Sequence, residues 1–208
     1  MKLMIASDIH GSKYYCRKLM ERWNAEAAGR LILLGDILYH GPRNDLPREY
    51  DPKSVLAALN GIRESICCVR GNCDSEVDQM VLEFPIMADS LLLFLEGRTV
   101  FATHGHIYNN ETPPKIGRKD ILLHGHTHVQ AMEDTGKYIY INPGSVSLPK
   151  EGNQNSYMVY EDGIFTIKNM EGEPIRELSI RSRENNEEGA GRRRIGRGRI
   201  CGFGGMEI

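Results

Sequence analysis

Residues 2–11 read KLMIASDIHG: a short, mainly apolar run, then Ser7-Asp8, then His10 and Gly11. The run is too brief for a helix and is bounded by turn formers, so it predicts a buried strand that delivers Asp8 and His10 just past its carboxyl end. The same grammar recurs downstream. LILL at 31–34 is followed by Gly35 and Asp36, and ICCV at 66–69 by Arg70, Gly71 and Asn72. Between these strands, Cys16, Leu19, Met20, Trp23 and Ala27 recur at spacings of three and four behind Ser12, which is placed to cap a helix. Asp51-Pro52 sets a cap residue before a proline at the first helical position, and Val55, Leu56, Leu59 and Ile62 supply the apolar face of a second helix. Residues 35–50 hold Gly41-Pro42 and Pro47, fit neither period, and read as a long functional loop. Continuous apolar strands alternating with amphipathic helices predict a mostly parallel sheet covered on both faces.

Beyond Met87 the pattern changes. Residues 91–95 and 99–103 flank Glu96-Gly97-Arg98 as a hairpin, and 121–123 form another short buried strand. Residues 130–134 and 138–141 turn at Thr135-Gly136, and 157–160 and 164–168 turn at Asp162-Gly163, giving two further hairpins. The reading is one α/β domain over residues 1–180, built as a layered sandwich without internal repeats. Residues 181–208 differ in kind: Arg192, Arg193, Arg194, Arg197 and Arg199 interleave with glycines and show no apolar period. That composition predicts a disordered extension, with weak phosphate-backbone binding by its arginines as the alternative.

Composition narrows the function. The chain has 208 residues, 26 Lys+Arg against 28 Asp+Glu, and a formal net charge of -2, which excludes a globally basic nucleic-acid binder. No run approaches the roughly 18 to 20 apolar residues of a membrane span, and the N-terminus lacks a secretory pattern. The five cysteines are odd in number and two are adjacent, which does not describe a disulfide framework. A reduced, cytoplasmic protein is expected.

The polar residues after the strands carry the chemistry. Asp8, His10, Asp36 and Asn72 follow the first three strands, and His104, His126 and His128 follow later ones. In open α/β sheets the site lies at the carboxyl ends of the strands, so five segments converge on one rim. This mixed nitrogen and oxygen set has too many donors for one tetrahedral zinc and suits two metals. Two divalent cations against two aspartates and a bridging hydroxide leave the site net positive, which favours an anionic ligand such as phosphate.

Asp8-x-His10, Gly35-Asp36, Gly71-Asn72-x-Asp74, His104-Gly105-His106 and Gly125-His126-Thr127-His128 resemble, in order, the signature of calcineurin-like metallophosphoesterases. SDIHG at 7–11, HGPRN at 40–44, RGNCDSEVDQ at 70–79 and NPGSVS at 142–147 are similar to the small bacterial YfcE-type phosphodiesterases. The resemblance covers residues 1–180 and implies a four-layer α/β/β/α sandwich. It places Asp8, His10, Asp36 and His128 on one metal and Asp36, Asn72, His104 and His126 on the other, with Asp36 bridging. The implied reaction is attack on a phosphodiester by a hydroxide held between two divalent transition metals, manganese foremost, with iron, nickel, cobalt or zinc also compatible. A phosphomonoesterase of the same fold and a protein-binding scaffold are the competing readings. The resemblance also implies a homo-oligomer.

One departure bears on specificity. Most of the superfamily carries His after the Asn, as a proton donor to the leaving oxygen, and this chain carries Cys73, as the YfcE-type members do. A thiol is a poorer general acid near neutral pH than an imidazole, so good leaving groups and diesters are favoured unless Cys73 only fills space. Asp74 is read as orienting a ligand or as capping a helix near Ser75. Arg43 is a candidate clamp for phosphate oxygens. His40 and His106 are candidate substrate contacts, and His124, inside an apolar run, is read as structural. The Asn142-Pro143-Gly144-Ser145 stretch is read as a tight turn.

Overall fold

Strand β1 (Lys2–Ala6) is central to the first sheet, and its alternate side chains feed two cores. The computed structural model describes residues 1–181; residues 182–208, which hold the arginine-rich extension, lie outside the described residues. After β1 come α1 (Lys13–Glu26), β2 (Arg30–Leu33), α2 (Pro52–Asn60), β3 (Ile66–Cys68) and α3 (Glu76–Val81). The predicted caps are in place: the Ser12 side chain accepts the Tyr15 N–H, and Asp51 accepts from Ser54 with Pro52 opening the helix. Such caps contribute about 1 kcal/mol each.

The second half supplies β4 (Ser90–Leu95), β5 (Arg98–Thr103), β6 (Ile121–Leu123), β7 (Gln130–Asp134), β8 (Ile139–Pro143), β9 (Ser156–Glu161), β10 (Ile164–Asn169) and β11 (Pro174–Ser179). The first sheet has the order β11-β10-β9-β1-β2-β3 and the second β4-β5-β6-β8-β7. Strands β1, β2 and β3 pair in parallel, as the sequence predicts, while β9 returns antiparallel beside β1. Met4, Ala6, Leu31 and Leu33 pack against Cys16 and Leu19 of α1 and Val55 and Leu59 of α2. The opposite faces carry Leu3, Ile5 and Ile32, which meet Val100, Ala102, Ile121 and Ile141 of the second sheet. These side chains are buried, and each large one contributes about 1.5–3 kcal/mol by leaving water.

The α/β sandwich read from the sequence is the observed fold. Its outermost layer on the second sheet is irregular chain, with no helix among the described residues. There Ile116 packs on Leu122, Ala131, Tyr138 and Tyr140, Tyr108 meets Phe101 edge-on at 5.5 Å, and the Tyr138 hydroxyl donates to Asn110. Strand β11 is an addition to the reading from sequence. It begins at a proline and carries Arg176 and Glu177, and a bulge at Ile175 sets its two apolar residues, Ile175 and Leu178, three apart, so no period-2 alternation shows in the sequence.

Glu26 ties α1 to the sheet. Its carboxylate accepts from Lys2 Nζ at 2.8 Å, Lys168 Nζ at 2.7 Å and the Tyr157 hydroxyl at 2.8 Å. Burial alone would raise its pKa, but Lys168, Lys2 and Tyr157 together lower it from 4.5 to about 2. A carboxyl with a depressed folded-state pKa stabilises the fold above its unfolded value and loses that contribution as the pH falls through the folded value. Glu26→Gln should therefore cost about 1–2 kcal/mol at pH 7, with the gap to wild type closing between pH 4.5 and about 2. Urea unfolding midpoints across that pH range check both the size and the sign.

Candidate metal centre

Seven polar side chains meet where strands of both sheets end. Asp8 and His10 follow β1, Asp36 follows β2, Asn72 follows β3, His104 follows β5, and His126 and His128 follow β6. Asp8, His10, Asp36, His126 and His128 all sit at positive φ, between 49° and 65°, which non-glycine residues rarely adopt. Strain of this kind persists only where neighbours enforce it. Here the backbone does so: Asp8 N–H donates to Gly35 O at 3.1 Å and His10 N–H to Asp36 O at 2.9 Å.

Three imidazoles are oriented by main-chain carbonyls, which can only accept. His10 Nδ1 donates to Tyr39 O at 2.8 Å, His104 Nδ1 to Leu34 O at 2.7 Å and His128 Nδ1 to Leu148 O at 2.6 Å. Each ring therefore turns an Nε2 lone pair inward. His10 Nε2 and His128 Nε2 lie 3.3 Å apart, and Asp8 Oδ1 lies 3.5 and 3.2 Å from them. That oxygen is buried and has no hydrogen-bond partner. On the other side, His104 Nε2 lies 3.1 Å from Asn72 Oδ1 and 3.1 Å from His126 Nδ1. Asp36 Oδ2 stands between the groups, 3.6 Å from His10 Nε2 and 3.5 Å from His104 Nε2.

Lone pairs facing lone pairs do not satisfy one another by hydrogen bonding. A cation does, and the orphaned Asp8 oxygen beside inward nitrogens fits a divalent ion. Asp8, His10 and His128 could hold one ion, and Asp8, Asp36 and His104 also converge closely enough to bind a metal. The charges agree. Burial would raise the Asp8 carboxyl, but His10 and His128 hold it well below the carboxylate range. Burial opposes charge on His104, yet Asp36 and Asp8 lift it to about 9, so the carboxylates draw positive charge to this nitrogen, and a metal ion would take the place of the Nε2 proton. Burial and then the neighbouring His104 depress His126 to about 4, leaving a neutral donor.

The surrounding shell is tight. Ser7 Oγ and the His126 N–H both donate to Asp8 Oδ2, at 2.6 and 3.0 Å. A Cβ on Gly125 would stand 1.8 Å from Ser7 Oγ, and one on Gly71 would stand 2.1 Å from Asp36 Oδ1. Asp74 is buried and accepts N–H bonds from Asp36, Ile37 and Gly71, while the α3 cap is Ser75 with Asp78. Asn142 does more than turn the chain: its amide donates to Gly125 O and Thr127 Oγ1, and Ser145 and Ser147 hydroxyls donate to Asp8 O.

A cleft of about 360 Å³ opens over the cluster, lined by Asp36, Asn72, His126 and His128, with Arg43 and Cys73 at its wall. Lys150 and Asn44 also line it. Neither is given a role by the sequence: Lys150 follows a proline with no periodic or spacing signal, and Asn44 stands only as the last residue of the HGPRN stretch. His40 and His106 are not among the lining residues. His40 is set edge-on to Tyr39 and Tyr50, and His106 lies 5.4 Å from the His104 ring. His124 is buried and stacks on Tyr140 at 4.8 Å, away from the cleft.

Comparison with known proteins gives the family. The model of the calcineurin-like phosphoesterase superfamily domain matches residues 1–162. Phosphodiesterase YfcE of Escherichia coli K12 is 46% identical over 167 residues, spanning 80% of this chain and 91% of that protein. A solved structure of the Escherichia coli phosphoesterase superimposes with a TM-score of 0.84 at 43% identity, covering 86% of this chain and all (100%) of that one. The probable metallophosphoesterase YsnB of Bacillus subtilis is 26% identical over 177 residues, or 81% of this chain and 86% of its own. With the donor cluster at the strand ends and the family match running through it, this chain belongs to the calcineurin-like phosphoesterase superfamily.

Proposed function

We propose that this chain is a metal-dependent phosphodiesterase, with Asp8, His10, Asp36 and His128 holding one divalent ion and Asp36, Asn72, His104 and His126 the other. The observation that carries the reading is the place of Asp36 Oδ2, almost equidistant from His10 Nε2 at 3.6 Å and His104 Nε2 at 3.5 Å. When bound, such ions supply an activated water as nucleophile and neutralise charge developing on the phosphoryl oxygens. The imidazole-rich donor set disfavours magnesium, and manganese is the ion we assign.

The chain's own residues then position the ester. Arg43 and Lys150 line the cleft and suit the non-bridging oxygens of a phosphodiester. Cys73 stands in the same wall. In the metal-free chain its thiol is pushed above its ordinary value, by burial first and then by Asp36. A thiol is a poorer general acid near neutral pH than the imidazole most of the superfamily carries there, which favours diesters with good leaving groups.

The free thiols of Cys16, Cys67, Cys68 and Cys73 support a reducing, cytoplasmic setting. No helix among the described residues is long and apolar enough to cross a membrane. A homo-oligomer is the assembly we propose, supported by Leu92 and Phe94, 55% and 75% exposed on the edge strand β4.

Metal-stripped protein should hydrolyse bis(p-nitrophenyl) phosphate only after manganese is restored, and at least about tenfold faster than p-nitrophenyl phosphate. A preference for the monoester would move the assignment to a phosphomonoesterase. No turnover with any divalent metal would overturn the enzyme reading.

A further inference from the structure

Beside the catalytic cleft runs a second groove of about 340 Å³, formed by Leu38, Tyr39, Tyr50, Pro52 and Val77. The two share one wall residue, Cys73. Their chemistries differ. The cleft presents carboxylates, imidazoles, Arg43 and Lys150, whereas the groove presents two tyrosines, three aliphatic side chains, and Ser75 and Asp78, which are hydrogen-bonded to each other in the α3 cap.

The groove is built on fixed parts. Tyr50 lies against Gly11, where an added Cβ would meet its ring at 2.6 Å, and its backbone bridges to Ser12. The His40 ring stands edge-on to both tyrosines, at 4.7 Å from Tyr39 and 5.2 Å from Tyr50, and holds them in a packed aromatic row. Tyr39 is 42% exposed and Val77 68% exposed, so apolar surface lies open to water on the far side of the Cys73 wall of the cleft. A phosphodiester carries one anionic centre with an organic arm on each side. With the anion in the cleft, one arm must leave past a wall of the cleft, and the Cys73 side leads onto aromatic surface.

We propose that this groove is a subsite for a planar aromatic arm of the substrate, of nucleobase size, stacked against Tyr39 and Tyr50 and flanked by Val77. The inference rests on the phosphodiesterase reading and narrows it to diesters that carry a flat aromatic group. Stacking on aromatic side chains tolerates any base because each offers a π-face. A nucleoside and a simple aryl ester share this chemistry, and the test separates them.

The kinetic arm of the test keeps the leaving group constant. With manganese-loaded wild type, thymidine 5′-(p-nitrophenyl phosphate) and phenyl p-nitrophenyl phosphate are compared with methyl p-nitrophenyl phosphate. Wild type should favour at least one aromatic ester over the methyl ester by about tenfold or more in kcat/KM. A thymidine ester ahead of the phenyl ester assigns a nucleoside arm, and the reverse assigns a simple aryl arm. In Tyr39→Ala and Val77→Asp the preference should fall to about twofold or less. Equal rates for all three esters in wild type, or a preference unchanged in both variants, would overturn the subsite.

The binding arm does not depend on turnover. Metal-free wild type should transfer NMR saturation to adenosine or to phenol, and Val77→Asp should abolish the effect while keeping the wild-type circular dichroism. Binding without turnover of any ester would retain the subsite and fail the phosphodiesterase reading. Turnover of the methyl ester with neither aromatic preference nor binding would do the opposite.

Discussion

Asp36→Asn is expected to reduce turnover of bis(p-nitrophenyl) phosphate by about 10³-fold or more, a loss of about 4 kcal/mol of transition-state stabilisation. The carboxylate uses its two oxygens differently. Oδ1 accepts the Cys73 N–H at 2.8 Å, while Oδ2 faces the His10 and His104 nitrogens. An amide of the same shape could still accept from Cys73, so the fold around it should survive. What it loses is the negative charge and the acceptor oxygen at the one point shared by both donor groups, and rotating the amide cannot return the oxygen there, because its NH₂ would then meet the Cys73 N–H. The expected metal content falls from two ions per chain toward one or none, read by elemental analysis beside unchanged circular dichroism. Activity within about tenfold of wild type, or full metal loading, would show that Asp36 is not the bridge.

Much of this centre was legible because strands end where chemistry begins. Asp8 and His10, Asp36 and Asn72 each stand directly after a short apolar run, and a parallel sheet brings the carboxyl ends of all such runs to one edge. The orienting groups were invisible for a definite reason. Tyr39, Leu34 and Leu148 fix three histidines through main-chain carbonyls, which every residue possesses, so side-chain identity carries no signal. The left-handed backbone at Asp8, His10, Asp36, His126 and His128 was equally hidden, because none is the glycine that would announce it. Lys150 reaches the cleft only because the chain after Ser147 folds back beside His128, whose O accepts the Lys150 N–H at 3.1 Å. The irregular layer over the second sheet escaped for lack of a period, and β11 because its bulge places Ile175 and Leu178 three apart and breaks the alternation.

Asp74→Ala should separate positioning of the metal centre from ordinary helix capping. Its Oδ2 accepts the N–H groups of Asp36 at 2.9 Å and Gly71 at 2.7 Å, and its Oδ1 that of Ile37 at 2.9 Å. It is 3% exposed, so water does not replace these bonds when the carboxylate is removed. A buried donor left unsatisfied costs about 1–3 kcal/mol, and partial relaxation of the loop brings the expected destabilisation to about 3–4 kcal/mol. The same three bonds hold the backbone on either side of the Asp36 side chain and set the approach of the Gly71-Asn72 segment. Their loss should therefore weaken manganese binding by about 10- to 100-fold, as removal of a group supporting a metal ligand does. Ser75→Ala is the control: it removes the α3 cap, costs about 1 kcal/mol and leaves manganese affinity unchanged. Urea unfolding and calorimetric manganese titration of both variants provide the comparison. If Asp74→Ala matches Ser75→Ala in both measurements, Asp74 acts as part of a helix start and does not position Asp36.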